Sequence, residues 1–469
     1  MKTKHLLSLS AHLCLTTRAR RLLFCLALGA AAGGLIGFMT RNHGNFTAHE
    51  WGTFTSVQGA DGVLLDWRPL ETSRLPKFVY DWKAPGLNCR AAGNLAFGKG
   101  AMLTLQRMET PVIYFYADEK QSVDVSVNFP QGLITEWYPQ ASQIGPATTP
   151  VSPVVATLDN YAHKAGAKPS FTFASLLSRP VFKDSRVRWA HVEILPSKQN
   201  PDLARSLPLD GSGSHYFTAR DTDADYLRVH SLAATNPLTE HEKYIFYRGV
   251  GNFATPLRVT MSSSHVVTLA NTGQEPLLHL FVLCLEERAG GFVHIDHLSA
   301  GEQRAVRIDF MEHPSPLAQL SPALSEQLAK SLTSEGLYRR EAVAMVNTWK
   351  DSWFEEDGLR VLYSLPPSWT DRTLPLRLDP PPRELVRVMV GRAEVLTPAL
   401  EQKLSDALVK ARQGDAQARE EVLDEFKKLG RFAEPALRLA TKGANPEIGQ
   451  TAWMLLQAAA RPAAESKSL

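Results

Sequence analysis

A small set of carboxylate and imidazole side chains lies beside aromatic residues, and such a set can act on carbohydrate. A glycoside hydrolase uses two carboxyl groups roughly 5–9.5 Å apart, one of which transfers a proton to the leaving group. Neighbouring aromatic rings can stack on the sugar. The candidate catalytic residues of this kind are His49, Glu50, Glu109 and Glu136.

The candidate binding residues are the aromatic neighbours of that set and one arginine, namely Trp51, Trp137, Tyr138 and Arg248. The same rings have a structural interpretation, because an aromatic side chain buries about 150–250 Å² in the core of a β-sandwich. Arg248 can equally form an ion pair that supports the adjacent glycine turn. The sequence leaves open whether these residues line a cleft or fill a core.

No established catalytic or metal-binding motif is complete. Segments 49–53 and 241–245 begin like HExxH but lack the second histidine, and residues 93–100 lack the hydroxyl residue of a phosphate-binding loop. Residues 221–225 lack the glycine of a calcium loop. In 294–297, the two histidines point to opposite faces of a strand. We therefore predict no metal site and no cofactor.

The segments that carry these residues are patterned like β-strands. From residue 47 to about 315, short apolar runs alternate with turn residues, and Val123–Phe129 has the period of two that is typical of a half-buried strand. The stretch Leu257–Phe310 contains several short strands separated by turns, which favours an immunoglobulin-like sandwich of antiparallel sheets. Further predicted strands are Val112–Tyr116, Arg188–Leu195, Tyr216–Arg220, Tyr226–His230 and Tyr244–Arg248.

A helical pattern begins after residue 316. Leucines at 324, 328 and 332 recur every four residues, and residues 338–353 follow the period of an amphipathic helix. An extended piece (Leu359–Leu365), a Pro-rich linker (Pro366–Pro382) and a strand (Val386–Val390) come next, and helices return from Pro398. Asn445-Pro446-Glu447 is a favourable helix start, and Leu429–Leu456 is similar to one helix pair of a HEAT repeat.

These patterns predict a mainly β fold with antiparallel sandwich-like modules and a C-terminal α-helical region. We divide the chain into a membrane anchor or signal segment (1–42), an N-terminal β unit (43–145), a β-sandwich-like unit (146–315), a helical segment with short strands and a Pro-rich linker (316–396), a HEAT-like helical tail (397–460) and a frayed tail (461–469).

The N-terminus predicts export. Five positive charges and no acidic residue precede the uncharged run Leu22–Met39, which spans about 27 Å as a helix and is just long enough for a bilayer core. The charge asymmetry places the body outside the cytoplasm, anchored in the inner membrane through residues 22–39. Alternatively, Leu22–Leu28 is the apolar core of a signal peptide cleaved near Ala30–Ala32, which leaves a periplasmic or secreted protein.

Two cysteines lie outside the N-terminal segment. In an oxidising compartment, Cys89 and Cys284 can form a disulfide. The alternative is two unrelated buried thiols, because Cys284 lies in the apolar run Leu280–Leu285.

Six distinctive segments resemble a group of exported bacterial proteins of unknown function. They are HEWGTFT (49–55), METPVIYFY (108–116), TEWYP (135–139), FYRGVG (246–251), EAVAMVNTWKDSWF (341–354) and VRVMVGRAEVLTP (386–398), and we refer to them as the motif segments. The resemblance runs from about residue 48 to 400. It implies one extended architecture and carries no known chemistry.

The chain has 469 residues, 44% hydrophobic and 21% charged, with a formal net charge of only +3. Nothing in this balance suggests the basic surface of a nucleic-acid-binding protein. We therefore expect a non-catalytic cell-envelope protein that binds a protein or polysaccharide partner. The alternative is an extracytoplasmic hydrolase acting on glycans through the carboxylate and aromatic residues. If the motif segments meet at one concave surface, function is concentrated there.

Overall fold

A central β-sheet lies between a layer of helices and two smaller sheets in the computed structural model, which describes residues 44–70, 75–81, 102–145, 184–230, 238–262, 265–414, 416–428, 432–443 and 445–459. The strands are β1 (Phe46–Gln58), β2 (Tyr80–Asp81), β3 (Gln106–Ala117), β4 (Gln121–Phe129), β5 (Gly132–Tyr138), β6 (Gln143–Gly145), β7 (Ser185–Leu195), β8 (Tyr226–His230), β9 (Thr239–Glu242), β10 (Ile245–Gly251), β11 (Leu257–Met261), β12 (Val266–Asn271), β13 (Leu277–Glu286), β14 (Ala289–Leu298), β15 (Gln303–Arg307), β16 (Ser315–Pro316), β17 (Gly358–Ser364), β18 (Leu376–Asp379) and β19 (Glu384–Val395).

The α-helices of the described residues lie in the last third of the chain and confirm the predicted C-terminal helical region. They are α1 (Leu317–Ser334), α2 (Arg339–Phe354), α3 (Pro367–Thr373), α4 (Pro398–Gln413), α5 (Ala416–Lys428), α6 (Ala433–Thr441) and α7 (Pro446–Ala459). As predicted, α7 begins after Asn445, whose side-chain oxygen accepts hydrogen bonds from the backbone N–H groups of Glu447 and Ile448. Among the described residues, no helix is long and apolar enough to cross a membrane.

The central sheet has the strand order β16-β14-β13-β17-β19-β1-β3-β10-β5-β2. Its neighbouring strands are antiparallel except for β1 and β19, which run parallel in register from Thr47–Glu384 to Gln58–Val395. Strands from the predicted units 43–145, 146–315 and 316–396 therefore form one sheet. This arrangement confirms the mainly β fold with antiparallel sheets and adds a parallel pairing that the local patterns do not predict.

The two faces of the central sheet have different coverings. One face packs against the smaller sheets β18-β4-β7-β8-β9 and β11-β12-β15 through side chains such as Phe54, Trp137 and Tyr247, and we call it the sandwich face. The other packs against α1 and α2 through side chains such as Trp51 and Phe246, and we call it the helix face. Because side chains alternate along a strand, consecutive residues of the central strands reach opposite layers.

The C-terminal helices cover one end of the helix face. Apolar side chains of α4, α5, α6 and α7 pack together and against Val57, Leu65 and Trp67. The segment that is similar to a HEAT pair forms two helices, and it rests on the body of the protein rather than extending as a solenoid.

Two local predictions are wrong. The segment Tyr216–Arg220, predicted as a strand, lies in the 3₁₀ helix His215–Arg220. The Ser214 hydroxyl caps this helix by accepting a hydrogen bond from the Tyr216 N–H, and the helix buries Tyr216 and Ala219, three residues apart, on one side. The predicted linker Pro366–Pro382 contains α3 and β18, since Pro367 begins α3 where its missing N–H has no cost. Residues 1–42 and 461–469 lie outside the described residues.

Candidate functional site

The motif segments lie side by side. Four of them fall on the adjacent strands β1, β3, β10 and β5, in that order across the sheet. The fifth forms β19 next to β1, and the sixth forms most of α2 over the helix face. Residues 337 positions apart in the sequence therefore meet on one surface, as Thr55 of β1 and Arg392 of β19 do.

Irregularities in four adjacent strands occur at the same level of the sheet. The register shifts between Trp51 and Thr53 where β1 meets β3, and again around Arg248 where β10 meets β3 and β5. Thr110 has a φ of 46°, a left-handed conformation that is rare for a β-branched residue. Because a bulge redirects side chains and is frequent beside functional sites, this level of the sheet is a candidate site.

A row of polar residues, buried except for the half-buried Arg107, crosses the helix face next to these irregularities. It runs from β17 to β5 and consists of Arg360, Arg392, Glu394, Thr53, Thr55, Arg107, Glu109, Arg248 and Glu136. We call this set the polar row. Charged side chains are almost never fully buried unless they are paired. The burial of the polar row therefore depends on the ion pairs within it and on the space that its side chains line.

Most charges of the polar row are held in ion pairs. Arg248 donates two hydrogen bonds to Glu136, at 2.7 and 2.9 Å. Glu394 lies between two arginines, 3.2 Å from Arg360 and 2.5 Å from Arg392. These contacts fix the carboxylates of Glu136 and Glu394 as structural counterions.

The pair formed by Arg107 and Glu109 is held less tightly. Arg107 Nε lies 3.2 Å from Glu109 Oε1, but its geometry does not make a hydrogen bond. Glu109 Oε2 is buried and has no hydrogen-bond partner in the described part of the chain. Burial lowers the pKa of Arg107 from its ordinary value; Glu109 opposes this effect, and the cation of Arg248 adds to it. This pair keeps hydrogen-bonding capacity that no other residue within the described ranges uses.

A cavity of about 910 Å³ lies over the polar row. Arg107, Glu109, Arg248 and Arg392 contribute to its lining. Its remaining walls come from α2, the N-terminal part of α4 and the loop and 3₁₀ helix near residue 215, including Thr348, Trp349, Ser352, Thr397, Ala399, Lys403 and His215. The arrangement combines fixed charges, hydroxyl groups and aromatic rings around one concave space.

The predicted catalytic residues do not share this cavity, which is a correction to that set. Glu50 lies on the sandwich face, where it accepts hydrogen bonds from Tyr247 and Arg387. His49 lies on the helix face but is paired with Glu341 at 2.7 Å. Glu136 is paired with Arg248, and Glu109 alone of the four lines the cavity. Consecutive strand residues point to opposite faces, so His49 and Glu50 cannot act together.

The predicted binding residues also lie in different parts of the fold. Trp51 and Trp137 are fully buried, in the cores of the helix face and the sandwich face respectively, and Tyr138 is buried in the former. Burial of both rings favours the structural interpretation of the tryptophans. Arg248 alone of the predicted binding residues lines the cavity.

Four charged residues of the polar row were not identified from the sequence, namely Arg107, Arg360, Arg392 and Glu394. Two of the strands carry the same signal, an arginine and a glutamate two residues apart: Arg107 and Glu109 in β3, and Arg392 and Glu394 in β19. Charges at that spacing within an apolar strand share one face. This spacing indicates that each strand has a charged face, but it does not indicate which other strands continue the polar row.

Cys284 is buried and contributes to the lining of the cavity, and it has no disulfide partner among the described residues. Cys89 lies outside the described residues, so the proposed disulfide stays a prediction. Burial raises the pKa of the Cys284 thiol to about 12, and the nearby Glu286 adds to the effect.

We expect Cys284 to react very slowly with iodoacetamide at pH 8 in the folded protein, because the thiolate is the nucleophile and is scarce well below the pKa. Labelling should accelerate as the pH approaches 12, and should be fast at pH 8 in denaturant. Mass spectrometry of the peptide that contains Cys284 measures the rate. Equal labelling rates with and without denaturant at pH 8 would contradict the burial of this thiol.

The comparisons with known proteins give no family for this chain. The resemblance of the motif segments to exported bacterial proteins consequently stays a prediction, and the function has to be argued from the cavity. The sequence matches no protein-family model and shows no significant similarity to a curated protein.

Proposed function

We propose that the chain is an exported cell-envelope protein that binds an envelope polysaccharide in the cavity over the polar row, without catalysis. An envelope protein is the alternative partner. The protein remains anchored in the inner membrane through residues 22–39, or is periplasmic or secreted after cleavage. The observation that carries the proposal is that the six motif segments come together on one sheet and its covering helix, and that four of them, 108–116, 246–251, 341–354 and 386–398, line one cavity.

The dimensions and lining of the cavity suit a short stretch of polysaccharide. Its volume of about 910 Å³ lies toward the upper end of the usual range for ligand pockets, roughly 300–1,000 Å³. Trp349 offers an aromatic ring, and Ser352 and Thr397 offer hydroxyl groups. Sugars need both kinds of contact, because their rings have apolar faces and hydroxylated edges.

The pairing of the carboxylates supports binding rather than hydrolysis. Glu136 and Glu394 are engaged by arginines, and Glu50 lies on the opposite face of the sheet. A general acid would have to be free to exchange its proton with the substrate. Glu109 is the candidate acid for the hydrolytic alternative, since its Oε2 has no partner among the residues described here and the exposed Glu356 lines the same cavity.

Equilibrium binding of the full-length protein, purified in detergent, to a panel of purified envelope polysaccharides tests the proposal. We expect saturable binding of at least one polysaccharide, with no change in its chain length after prolonged incubation. Shortening of the polysaccharide by the wild-type protein but not by Glu109→Gln would establish the hydrolytic alternative. Failure to bind any polysaccharide would overturn the proposal.

A reporter at the carboxyl end tests the export half of the proposal. A phosphatase that folds only outside the cytoplasm should be active when fused after residue 469. Activity of a cytosol-specific reporter alone, at the same expression level, would overturn export. The positive charges before Leu22 are the physical basis of the expectation.

A further inference from the structure

We infer that Arg107 and Glu109 form the recognition point of the cavity for an acidic sugar, one whose ring carries a carboxylate or phosphate beside a free hydroxyl. This inference rests on the proposed function and names the ligand class that the cavity selects. It assigns the specificity to β3 rather than to the aromatic residues that the sequence favours.

Arg107 differs from the other arginines that line the cavity. Arg248 donates two hydrogen bonds to Glu136, and Arg392 donates to Glu394 and to the backbone oxygen of Ser352. Within the described part of the chain, Arg107 has only its ion pair with Glu109 and no side-chain hydrogen bond. Its side chain is 15% exposed and lines the cavity. Its guanidinium therefore has donors available for a ligand.

Glu109 supplies the complementary acceptor. The side chain is 5% exposed and lines the cavity, and its buried Oε2 receives no hydrogen bond from any residue that the structure describes. A buried carboxylate oxygen is normally satisfied by a hydrogen bond. An ionised carboxylate accepts only, so the missing partner has to be an O–H or N–H group.

The two requirements together define the ligand. The planar guanidinium of arginine matches the geometry of a carboxylate or phosphate, to which it can donate two parallel hydrogen bonds. The neighbouring Glu109 requires a donor close to that anion. A uronic acid or a sugar phosphate carries both groups on one ring, whereas a neutral sugar supplies only the hydroxyl.

The charges around Arg107 favour an anion at this point. The buried Arg248 and Arg392 line the same cavity as the half-buried Arg107, and both cations lower the pKa of Arg107, so an anion beside Arg107 reduces the repulsion among the three. The acidic residues of the rim, Glu286, Glu356 and Asp357, are exposed, and solvent screens their charges.

Binding of three probes of equal length to the full-length wild-type protein tests the inference. The probes are a neutral trisaccharide, the corresponding trisaccharide of uronic acid, and a phosphorylated trisaccharide. We expect at least one acidic probe to bind roughly tenfold or more tightly than the neutral one, and the better of the two identifies the anion. Equal affinity of all three overturns the inference and leaves the proposed function standing, whereas binding of none overturns both.

Two variants locate the preference. Arg107→Gln should abolish the preference, so that the acidic probe binds no more tightly than the neutral one, provided that circular dichroism shows a folded protein. Arg205→Gln, which removes an arginine that is 89% exposed outside the cavity, should leave the preference intact. A folded Arg107→Gln variant that keeps the full preference overturns the inference. If the variant does not fold, the relative affinities of the three trisaccharides for the wild-type protein decide whether the inference holds.

Discussion

Replacement of Glu394 by glutamine is expected to lower the free energy of unfolding by about 3–5 kcal/mol, the usual loss when one partner of a buried ion pair is removed. Glu394 and Arg360 are fully buried, and Arg392 is 2% exposed. Burial lowers the pKa of Arg360 and Glu394 opposes this effect, so the carboxylate keeps that cation charged in the core. The glutamine removes the buried counterion of both arginines and leaves Arg392 only the half-exposed Glu356, at 3.6 Å.

Equilibrium unfolding in urea measures this loss. Glu326→Gln is a matched control, because Glu326 also contacts an arginine, Arg339, at 2.9 Å, but both side chains are about half exposed. An exposed pair of this kind contributes little, since solvent screens it. If the two variants lost equal stability, the polar row would not be held together by its buried charges.

Ala399→Trp is expected to weaken polysaccharide binding by roughly tenfold or more, about 1.4 kcal/mol, without unfolding the protein. Ala399 lies in the first turn of α4, is exposed and lines the cavity. An indole at this position can occupy the entrance, and an exposed helix position tolerates the change with a small loss of helix propensity.

Gln413→Trp is the matched control for the blocked entrance. It lies at the other end of the same helix, 14 residues and about 21 Å away from Ala399, and is exposed. Both variants should unfold at the same temperature as the wild type, but Gln413→Trp should keep full affinity. Undiminished binding by a folded Ala399→Trp variant would place the ligand site elsewhere.

Local patterns predicted most elements but not their pairing. The alternation of Val123, Val125 and Val127 and the leucine spacing of α1 follow from which side chains a strand or helix can bury. The parallel pairing of β1 with β19 joins residues more than 330 positions apart. Strand pairing depends on tertiary packing, and no local signal in either strand specifies the partner.

The candidate site could be predicted only in part. Glu109 and Arg248 were identified from their neighbours, whereas His49 and Glu50 were grouped although adjacent strand residues face opposite layers. The bulges that turn Thr110 and Arg248 into their positions depend on the neighbouring strands. The spacing of Arg107 and Glu109 was visible, but the cavity arises only when α2 and α4 cover the sheet.

A crystal structure of the full-length protein with an acidic trisaccharide bound is the most direct measurement. We predict electron density for the sugar between the sheet and the end of α2, with its anionic group on Arg107 and a hydroxyl group donating to Glu109. Density for the trisaccharide at another surface, with Arg107 and Glu109 untouched, would contradict the central claim that the motif segments converge to build a ligand site.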